Sequence, residues 1–438
     1  MQNSVFSRQL VESIVDELKI TDLAQATIGQ VVLLASALEQ RTGIPFIRMD
    51  QGVPGLSPNQ VGIAAEKAAL DTGIAAIYPA AEGVPELKRE TSRFVKAFLN
   101  VDITPEACIP TTGSVAGSFG SFIVTSQCSP GKDTVLFIDP GFPIQKSQLK
   151  ILGVKYRQFD IFNYRGAALR DKLESFLKEG NISAIIYSNP NNPAWICLEE
   201  EELQIIGELA TQYDTIVLED LAYFAMDFRR DLSRPFEPPF QATVARYTDN
   251  YMLMLSASKI FSYAGQRMAV VCISDKLFNR RYPALAERYN GAGLFGNTFT
   301  NAIMYMITSG ASHSVQFGLA AMYKAACDGQ IDFVADTMEY GRRAEKMKRL
   351  FCETGFHVVY DKDVEQPIGD GFFFTIGYPG MTSGELMREL LYYGISSITL
   401  NTTGSLQEGI RACTSRKTDE LFDILEQRLK AFKTDHPL

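Results

Sequence analysis

Short apolar runs alternate with stretches of helical length from residue 107 to residue 220, and this alternation restricts the fold more than any other feature. With two that follow later in the chain, the runs are ACIPTT (107–112), DTVLFID (133–139), VKYRQF (154–159), ISAIIYS (182–188), TIVLED (215–220), YMLMLSAS (251–258) and MAVVCIS (268–274). Runs such as TIVLED and MAVVCIS show little polar alternation, which is typical of strands buried on both faces of a sheet. We therefore predict an α/β fold with a mixed, mostly parallel sheet covered by helices on both faces.

The flanking segments follow a different pattern. Residues 8–41 have apolar side chains at helical spacing and are predicted to be helical. Further helices are predicted at 59–72, 84–99 and 417–432. Several short strands are predicted among the last hundred residues. We predict a large domain over 61–325 and a smaller α+β domain assembled from 1–60 and 326–438.

Charge and composition exclude several classes of function. The chain has 42 Lys and Arg against 51 Asp and Glu, for a net charge of −9. Proteins that follow nucleic-acid phosphates are usually basic, so we predict no nucleic-acid partner. No apolar run has the length of a membrane span and the first residues lack a signal-peptide core, which predicts a cytoplasmic protein without membrane contact. The seven cysteines form no C-x-x-C pair and the three histidines lie apart, so we predict no metal site.

The stretch SASKIFSYAGQR, residues 256–267, holds one lysine and one arginine among small and hydroxylated residues. Ser256-x-x-Lys259 matches the S-x-x-K of serine acyltransferases, but the S-D-N and K-T-G elements of those enzymes do not occur here. A lone lysine in a Gly/Ser loop also fits a Schiff-base lysine that holds a cofactor. A literal G-x-G-x-x-G at 291–296 follows residues of helical character, so we interpret it as a loop and not as a dinucleotide site.

Two further segments could meet a ligand at the sheet edge. The helix that begins near Gly113, Ser114 and Val115 follows a strand and offers free backbone N–H groups to a phosphate, although small residues at a helix start also serve packing. Asp220 ends the strand 215–220, where open α/β sheets place ligands. A buried carboxylate needs a cation or a donor, and a protonated pyridine nitrogen would serve; capping of the next helix is the structural alternative. Tyr223, three residues on, could reach the same ligand.

Two more segments bear fixed polar groups. SNPNNPAW (188–195) contains two Asn-Pro steps that predict a rigid turn of the kind that can hold a cis bond, and this turn would orient the amide of Asn192; the alternative is a plain loop. Arg411 lies in a predicted strand among small and apolar residues and therefore needs an anion. A substrate carboxylate suits a guanidinium, and an internal salt bridge is the alternative.

In this order and spacing the segments resemble the class I/II aminotransferases, the fold-type-I pyridoxal-phosphate enzymes similar to aspartate aminotransferase. The resemblance covers most of the chain and rests on an ordered set of motifs. They are a G-x-P near the front, Tyr78-x4-Gly83 with Pro85-Glu86-Leu87, Gly113-Ser114, Asp139-Pro140 with Phe142, Asn-Pro-Asn-Asn-Pro at 189–193, Asp220-x-x-Tyr223, Ser256-x-x-Lys259-x7-Arg267 and the late Arg411.

The resemblance implies a role for each matching residue. Lys259 would form the Schiff base with pyridoxal 5′-phosphate and then carry the proton. Asp220 would pair with the ring nitrogen, Tyr223 and Asn192 would bind the ring oxygen, and Phe142 would stack on the ring. The phosphate would be bound by Gly113, Ser114, Val115, Ser256 and Arg267.

The resemblance also implies a substrate site and a partner. Arg411 and the backbone of Gly52 would hold the α-carboxylate of the substrate, together with Asn192. Tyr78 would reach the cofactor phosphate of a second subunit, which implies a homodimer with shared sites. The expected partners are therefore an amino acid, a 2-oxo acid and a second copy of the chain.

The chain departs from the family pattern in three places. Ala194-Trp195 stands where the family has Thr-Gly, and since Trp does not readily adopt the positive φ that Gly allows, the turn is expected to be reshaped. Ala269 replaces a usual Gly, and Phe142 replaces the commoner Tyr. Phe295, Phe299 and the run 372–374 hint at an aromatic pocket, but we expect them to be core.

The leading hypothesis is an aminotransferase that works by two half-reactions, moving an amino group from an L-amino acid to a 2-oxo acid. A β-lyase or decarboxylase with the same cofactor is one alternative, because the bond broken at Cα depends on its orientation against the ring. A non-catalytic pyridoxal-phosphate regulator is another. Such regulators usually carry a DNA-binding domain, and the acidic charge argues against that function.

Overall fold

The computed structural model describes residues 3–416 and 418–438. Its helices are α1 (Arg8–Glu17), α2 (Ile28–Thr42), α3 (Gln60–Asp71), α4 (Pro85–Leu99), α5 (Gly113–Thr125), α6 (Pro143–Leu152), α7 (Ala168–Leu177), α8 (Glu200–Gln212), α9 (Ala257–Ile260), α10 (Asp275–Phe278), α11 (Pro283–Tyr289), α12 (Phe295–Asn297), α13 (Tyr305–Thr308), α14 (His313–Cys327), α15 (Phe333–Thr337), α16 (Glu339–Glu353), α17 (Ser383–Tyr392) and α18 (Asp419–Asp435). A π-helical stretch, Thr298–Met304, connects α12 to α13.

The strands are β1 (Ile47–Arg48), β2 (Cys108–Thr111), β3 (Thr134–Asp139), β4 (Lys155–Asp160), β5 (Ile182–Ser188), β6 (Ile216–Leu221), β7 (Tyr251–Ser256), β8 (Ala269–Ile273), β9 (His357–Val358), β10 (Lys362–Asp363), β11 (Gln366–Pro367), β12 (Phe373–Gly377), β13 (Ile395–Ser396), β14 (Ile398–Thr399) and β15 (Ile410–Cys413). Each of the seven runs predicted as strands between 107 and 274 overlaps one of them, β2 to β8, with bounds that agree to within two residues. Apolar period and turn chemistry are local properties, which is why these predictions are confirmed.

Among the described residues the chain divides into two compact units, a larger one of 57–191 and 197–337 and a smaller one of 1–56, 192–196 and 338–438. The larger unit holds a seven-stranded sheet in the order β2-β8-β7-β6-β5-β3-β4, flanked by helices. β8 is antiparallel to both of its neighbours, and the other pairs are parallel. The predicted α/β class with a mixed, mostly parallel sheet is confirmed.

The smaller unit holds a sheet in the order β14-β15-β12-β9, in which the paired strands are antiparallel, and a short parallel pair of β1 with β13. α2 and α17 both begin with a capping box, in which a threonine hydroxyl and a side-chain carbonyl oxygen three residues later accept hydrogen bonds from each other's backbone N–H groups. Residues 8–41 do not form one helix. Lys19 has a φ of +54° and the side chain of Asp22 caps a separate 3₁₀ turn, so the helical structure is interrupted between α1 and α2.

Three segments belong to a different unit from the one predicted. Residues 326–337 belong to the larger unit because the ring of Phe333 packs on Phe94, Phe98, Phe224 and Phe261. Residues 57–60 belong there too, and the backbone N–H of residue 59 donates to the carbonyl of residue 261. Residues 192–196 group with the smaller unit through side-chain contacts that the next section describes.

The core of the larger unit lies under the sheet strands. Phe295 and Phe299 are fully buried in it, together with residues of β3, β5, β6, β7 and β8. Phe372, Phe373 and Phe374 are fully buried in the smaller unit. The expectation that these aromatic residues are core is confirmed. Within the described residues, no helix combines the length and the hydrophobicity needed to cross a bilayer.

Candidate active site

The larger unit gathers most of the predicted site residues at one edge of its sheet. β2, β3, β5, β6 and β7 run in the same direction, so their carboxyl ends meet at this edge, and β8 begins there. The register shows the convergence directly, because Thr111 and Ser256 both pair with Ala269, and Ser188 pairs with Asp220. The residues that follow these strand ends are Gly113, Ser114, Val115, Phe142, Tyr223, Lys259 and, just before β8, Arg267. Open α/β sheets bind ligands at such an edge.

Asp220 is a buried carboxylate held by two neutral donors. Its Oδ1 accepts from the backbone N–H of Ala222 at 3.1 Å, and its Oδ2 accepts from Nε2 of Gln145 at 3.0 Å. Burial raises the pKa of Asp220 to about 6, although both hydrogen bonds act to lower it. Among the described residues no cation pairs with it. A carboxylate in this setting suits a cationic nitrogen of a bound ligand.

The start of α5 and Arg267 form an arrangement suited to an anion. No side chain caps α5, so the N–H groups of its first turn are open to an acceptor. Gly113 has a φ of +75°, and a Cβ built there would lie 2.5 Å from Nη2 of Arg267, so only glycine lets the guanidinium lie against this backbone. Arg267 is exposed and donates from Nη1 to the carbonyl of Ala264 at 2.8 Å. Within the described ranges no carboxylate pairs with Arg267, which leaves its charge for an anion from solution.

Lys259 and Ser256 lie at the end of β7. Ser256 is buried and caps the short helix α9, accepting from the N–H of Ser258 at 3.3 Å. Lys259 is the third residue of α9, three residues after the end of β7, and is half-buried. Tyr223 follows β6 by two residues and is 5% exposed. A partly desolvated lysine near a strand end is suited to act as a nucleophile or a base.

Polar side chains of helix α6 contact β3 and helix α5. Phe142 is its N-cap residue and is half-buried. Lys146 donates to Oδ2 of Asp139 at 2.5 Å; burial raises the pKa of Asp139 to about 7, while the lysine acts to lower it. Gln148 donates to the carbonyl of Val115 at 2.7 Å and accepts from the hydroxyl of Ser118 at 2.8 Å, and so holds the first turn of α5. The prediction included Phe142 but missed three polar residues of α6, Gln145, Lys146 and Gln148. The only available signal was their position within two helical turns of Phe142.

Tyr78 follows a 3₁₀ turn at Ile74–Ala76 and does not follow a strand of the sheet. It is 87% exposed, the most exposed of the large hydrophobic side chains of the described residues. It borders a surface depression of about 530 Å³, whose wall includes Leu70, Ile77, Pro79 and His313. The predicted contact of Tyr78 with a second subunit stays a prediction.

In the smaller unit Arg411 is fully buried in β15 and is hydrogen-bonded to neutral oxygens. Its Nη1 donates to Oδ1 of Asn192 at 3.1 Å and its Nη2 donates to the carbonyl of Asp50 at 2.7 Å. The guanidinium lies 4.5 Å from the ring centroid of Phe373. A Cβ built on Gly52 would lie 2.9 Å from Cζ of that ring, so glycine is required at position 52. The structure thus brings Arg411 and Asn192 together, and the binding of a substrate carboxylate by Arg411 stays a prediction.

Arg48 and Asp50 support this arrangement and were not predicted. Arg48 donates to both carboxylate oxygens of Asp50, from Nε and Nη2, at 2.9 Å each. Burial alone would raise the pKa of Asp50, but Arg48 and the hydroxyl of Ser396 hold it below its usual value. The pair fixes the backbone segment whose carbonyl receives the hydrogen bond from Arg411. The R-x-D sequence next to a short strand carried no signal strong enough to identify it.

The Asn-Pro segment keeps its sharp turn despite the replacement of glycine. The Asn189–Pro190 and Asn192–Pro193 peptide bonds are both cis, as the sequence suggested for such a turn. Trp195 has a φ of +63° and is fully buried, with its ring edge on Phe373 at a centroid distance of 6.3 Å. The prediction that Trp would reshape this turn by avoiding positive φ is therefore wrong, because the contacts of the buried indole outweigh the backbone strain.

Comparisons with known proteins concern the chain as a whole. The family model described as aminotransferase class I and II matches residues 45–429. Among curated proteins, the glutamate-pyruvate aminotransferase AlaC of Escherichia coli is 33% identical over 65% of this chain and 62% of its own length, and an aspartate aminotransferase of Sulfolobus acidocaldarius is 24% identical over 61% and 66%. The matched regions therefore span somewhat less than two thirds of these relatives.

Solved structures show the same fold. The alanine aminotransferase of Pyrococcus furiosus superposes with a TM-score of 0.74 at 19% identity, covering 96% of this chain and 99% of that one. A methionine aminotransferase of Escherichia coli superposes with a TM-score of 0.72 at 14% identity, covering 91% and 97%.

Proposed function

This chain belongs to the class I and II aminotransferases, and from that premise we propose that it is a pyridoxal-phosphate-dependent enzyme that transfers an amino group from an L-amino acid to a 2-oxo acid. The observation that carries the proposal is the set of charged groups at the sheet edge of the larger unit. Asp220 offers a buried anion without a counter-cation among the described residues, and Arg267 offers a cation beside an uncapped helix start. These groups match the protonated ring nitrogen and the phosphate of that cofactor in charge.

When bound, pyridoxal phosphate supplies an aldehyde carbon that takes up the amino group and a ring that accepts electrons released at Cα. The chain's own residues do the rest. Lys259 would hold the cofactor through Nζ and, once displaced by the substrate amine, would accept and return the Cα proton. Asp220 would keep the ring nitrogen protonated, and Tyr223 and Asn192 would donate to the ring oxygen.

Phe142 would pack on the ring, and Gly113, Ser114, Val115, Ser256 and Arg267 would bind the phosphate. Arg411 would bind the substrate α-carboxylate with the backbone of Gly52, and Asn192 would hold that arginine in place. Because Arg411 is buried and its hydrogen bonds given above go to neutral oxygens, a carboxylate there would gain charge-assisted hydrogen bonds in a medium of low polarity.

We also propose a homodimer in the cytoplasm, to which Tyr78 contributes across the subunit boundary. The exposed apolar side chains of the larger unit support this part, with Ile77 60%, Tyr78 87% and Met306 73% exposed. Covering such a surface with a second copy would remove it from water. Sedimentation analysis tests this part by itself: a dimer is expected, and a monomer would contradict the role given to Tyr78.

The test of the reaction is the visible spectrum of the purified protein during exposure to substrates. We expect a yellow protein that loses its colour with a mixture of amino acids and regains it with a 2-oxo acid. A protein that stays yellow while it releases ammonia, pyruvate or carbon dioxide would instead indicate the β-lyase or the decarboxylase. A protein that stays colourless after incubation with pyridoxal phosphate would contradict the proposed cofactor.

A further inference from the structure

Gln145 is a buried side chain to which the proposed mechanism gives no role, and it contacts one of the groups that the mechanism uses. It is 6% exposed and lies in the first turn of α6, where its backbone N–H donates to the carbonyl of Phe142 at 3.1 Å. Its Nε2 donates to Oδ2 of Asp220 at 3.0 Å. The amide nitrogen and not the oxygen must face the carboxylate, because two acceptors would repel each other.

The two hydrogen bonds to Asp220 fix the orientation of its carboxylate and favour its charged form. Each carboxylate oxygen has one donor, the backbone N–H of Ala222 on Oδ1 and the amide of Gln145 on Oδ2. Together they prevent rotation of the carboxylate about the Cβ–Cγ bond. Neither donor forms a charged pair with it, so the negative charge is not neutralised. Each oxygen keeps a lone pair for a further donor. Both donors favour the ionised form and oppose the rise in pKa that burial causes.

We propose that Gln145 is a positioning residue for the ring nitrogen of the cofactor: it holds Asp220 as an oriented, ionised acceptor for that nitrogen. The inference rests on the proposed function. Since Gln145 and Phe142 share one helical turn, this turn sets both the ring-packing residue and the orientation of the carboxylate. A glutamine does not titrate, so the donor is present at every pH at which the protein is folded.

The test measures binding to the apoprotein, without turnover. The ligands are pyridoxamine 5′-phosphate, which forms no covalent bond with a lysine, and its analogue in which a C–H group replaces the ring nitrogen. Calorimetric titration of Gln145→Leu is expected to show roughly ten-fold weaker binding of pyridoxamine phosphate than the unaltered protein shows, since one hydrogen bond to a charged group is lost. Binding of the analogue should stay within about two-fold, because it makes no bond to Asp220 that Gln145 could support.

The matched control is Gln148→Leu. Gln148 is an equally buried glutamine of the same helix, but its hydrogen bonds go to Ser118 and Val115. Its loss should affect both ligands alike. Gln145→Glu gives a second readout, because the introduced carboxyl group donates only while protonated. Its affinity for pyridoxamine phosphate should fall as the pH rises above neutrality, whereas that of the unaltered protein should not.

The outcomes separate this inference from the proposed function. Equal weakening of both ligands by Gln145→Leu, or no weakening, together with a flat pH profile for Gln145→Glu, would overturn the positioning role alone. An unaltered apoprotein that binds neither ligand would overturn the proposed cofactor and this inference with it. If both Gln145 variants bind pyridoxamine phosphate more weakly but bind the analogue normally, the positioning role is established. Poor folding of a variant would not mimic this result, because it would weaken the binding of both ligands.

Discussion

Trp195 packs against Gly371 so closely that a Cβ built on the glycine would lie 2.0 Å from Cζ2 of the indole. The only tryptophan of the chain therefore requires a glycine 176 positions later. Both residues belong to the smaller unit, in which Trp195 also contacts Phe373, whose ring lies under the guanidinium of Arg411. The indole thus takes part in the packing that holds the proposed carboxylate-binding arginine.

This contact predicts strong coupling between the two positions. Gly371→Ala should destabilise the protein by roughly 1–3 kcal/mol, because the methyl group overlaps a side chain that cannot move away. Trp195→Gly should cost about 3–5 kcal/mol through the cavity that it leaves. The double variant should cost clearly less than the sum, since without the indole the methyl group has space. Denaturant unfolding measures all three.

Gly131→Ala is the control for this cycle, because a Cβ at position 131 meets no atom within 4 Å. It should leave the free energy of unfolding nearly unchanged. If the losses in the free energy of unfolding caused by Trp195→Gly and Gly371→Ala are strictly additive, the two residues are not in close contact in solution.

Lys259→Arg should abolish the covalent attachment of pyridoxal phosphate. Arginine keeps the positive charge but stays protonated, so it cannot act as a nucleophile. We expect mass spectrometry after borohydride reduction to find the cofactor on Lys259 in the unaltered protein and no adduct in the variant, with turnover reduced by at least about a thousand-fold. Lys276→Arg, at a lysine whose side chain is 78% exposed, should change neither. A stoichiometric adduct in the Lys259 variant would place the reactive lysine elsewhere.

Asp220→Asn should stabilise the apoprotein in a pH-dependent manner. The pKa of Asp220 is raised to about 6 in the fold, by burial first, against about 3.9 in an unfolded chain. Below about pH 4 the residue is neutral in both states and costs nothing; as the pH rises towards 6 the unfolded state ionises first, so stability falls. The variant should gain roughly 2–3 kcal/mol at pH 7.5 and almost nothing near pH 4.

Urea unfolding of the two apoproteins at both pH values measures this difference, and the same variant should bind pyridoxamine phosphate more weakly. A gain of equal size at both pH values would mean that the ionisation of Asp220 is not its cause.

Arg267→Gln should weaken the binding of phosphorylated cofactors selectively. Loss of a charge-assisted pair predicts an affinity for pyridoxamine phosphate roughly ten- to a hundred-fold lower, with pyridoxamine itself unaffected. Titration of the apoprotein with both ligands measures the difference. Arg234→Gln, at a side chain that is 63% exposed, serves as the control. Equal losses for the two ligands would assign Arg267 to a structural role.

Arg411→Lys should impair the use of amino acids far more than cofactor binding. A lysine keeps the charge but cannot present the two parallel donors of a guanidinium, and it would leave the oxygens of Asn192 and Asp50 with fewer donors. We expect kcat/KM to fall about a hundred-fold, mainly through KM, with an unchanged affinity for pyridoxamine phosphate. An unchanged KM for every amino acid tested would remove Arg411 from substrate binding.

Much of this protein could be predicted without its structure, and the reason is that the signals are local. β5 lies at the bounds read from the apolar pattern, and Asp220, Lys259 and Arg267 lie at or next to the ends of predicted strands. The interruption between α1 and α2 was missed because apolar spacing continues across it, although the Thr27–Gln30 capping box marks where α2 begins.

The sequence by itself determined the order of strands and helices and the motif residues at the sheet edge, because period, turn chemistry and spacing act over a few residues. Only the tertiary structure decided that Trp195 would keep a positive φ, that Phe333 belongs to the larger unit and that Gln145 meets Asp220, 75 positions away. A buried ring or carboxylate takes whichever partner the packing brings to it, and that packing depends on the chain as a whole.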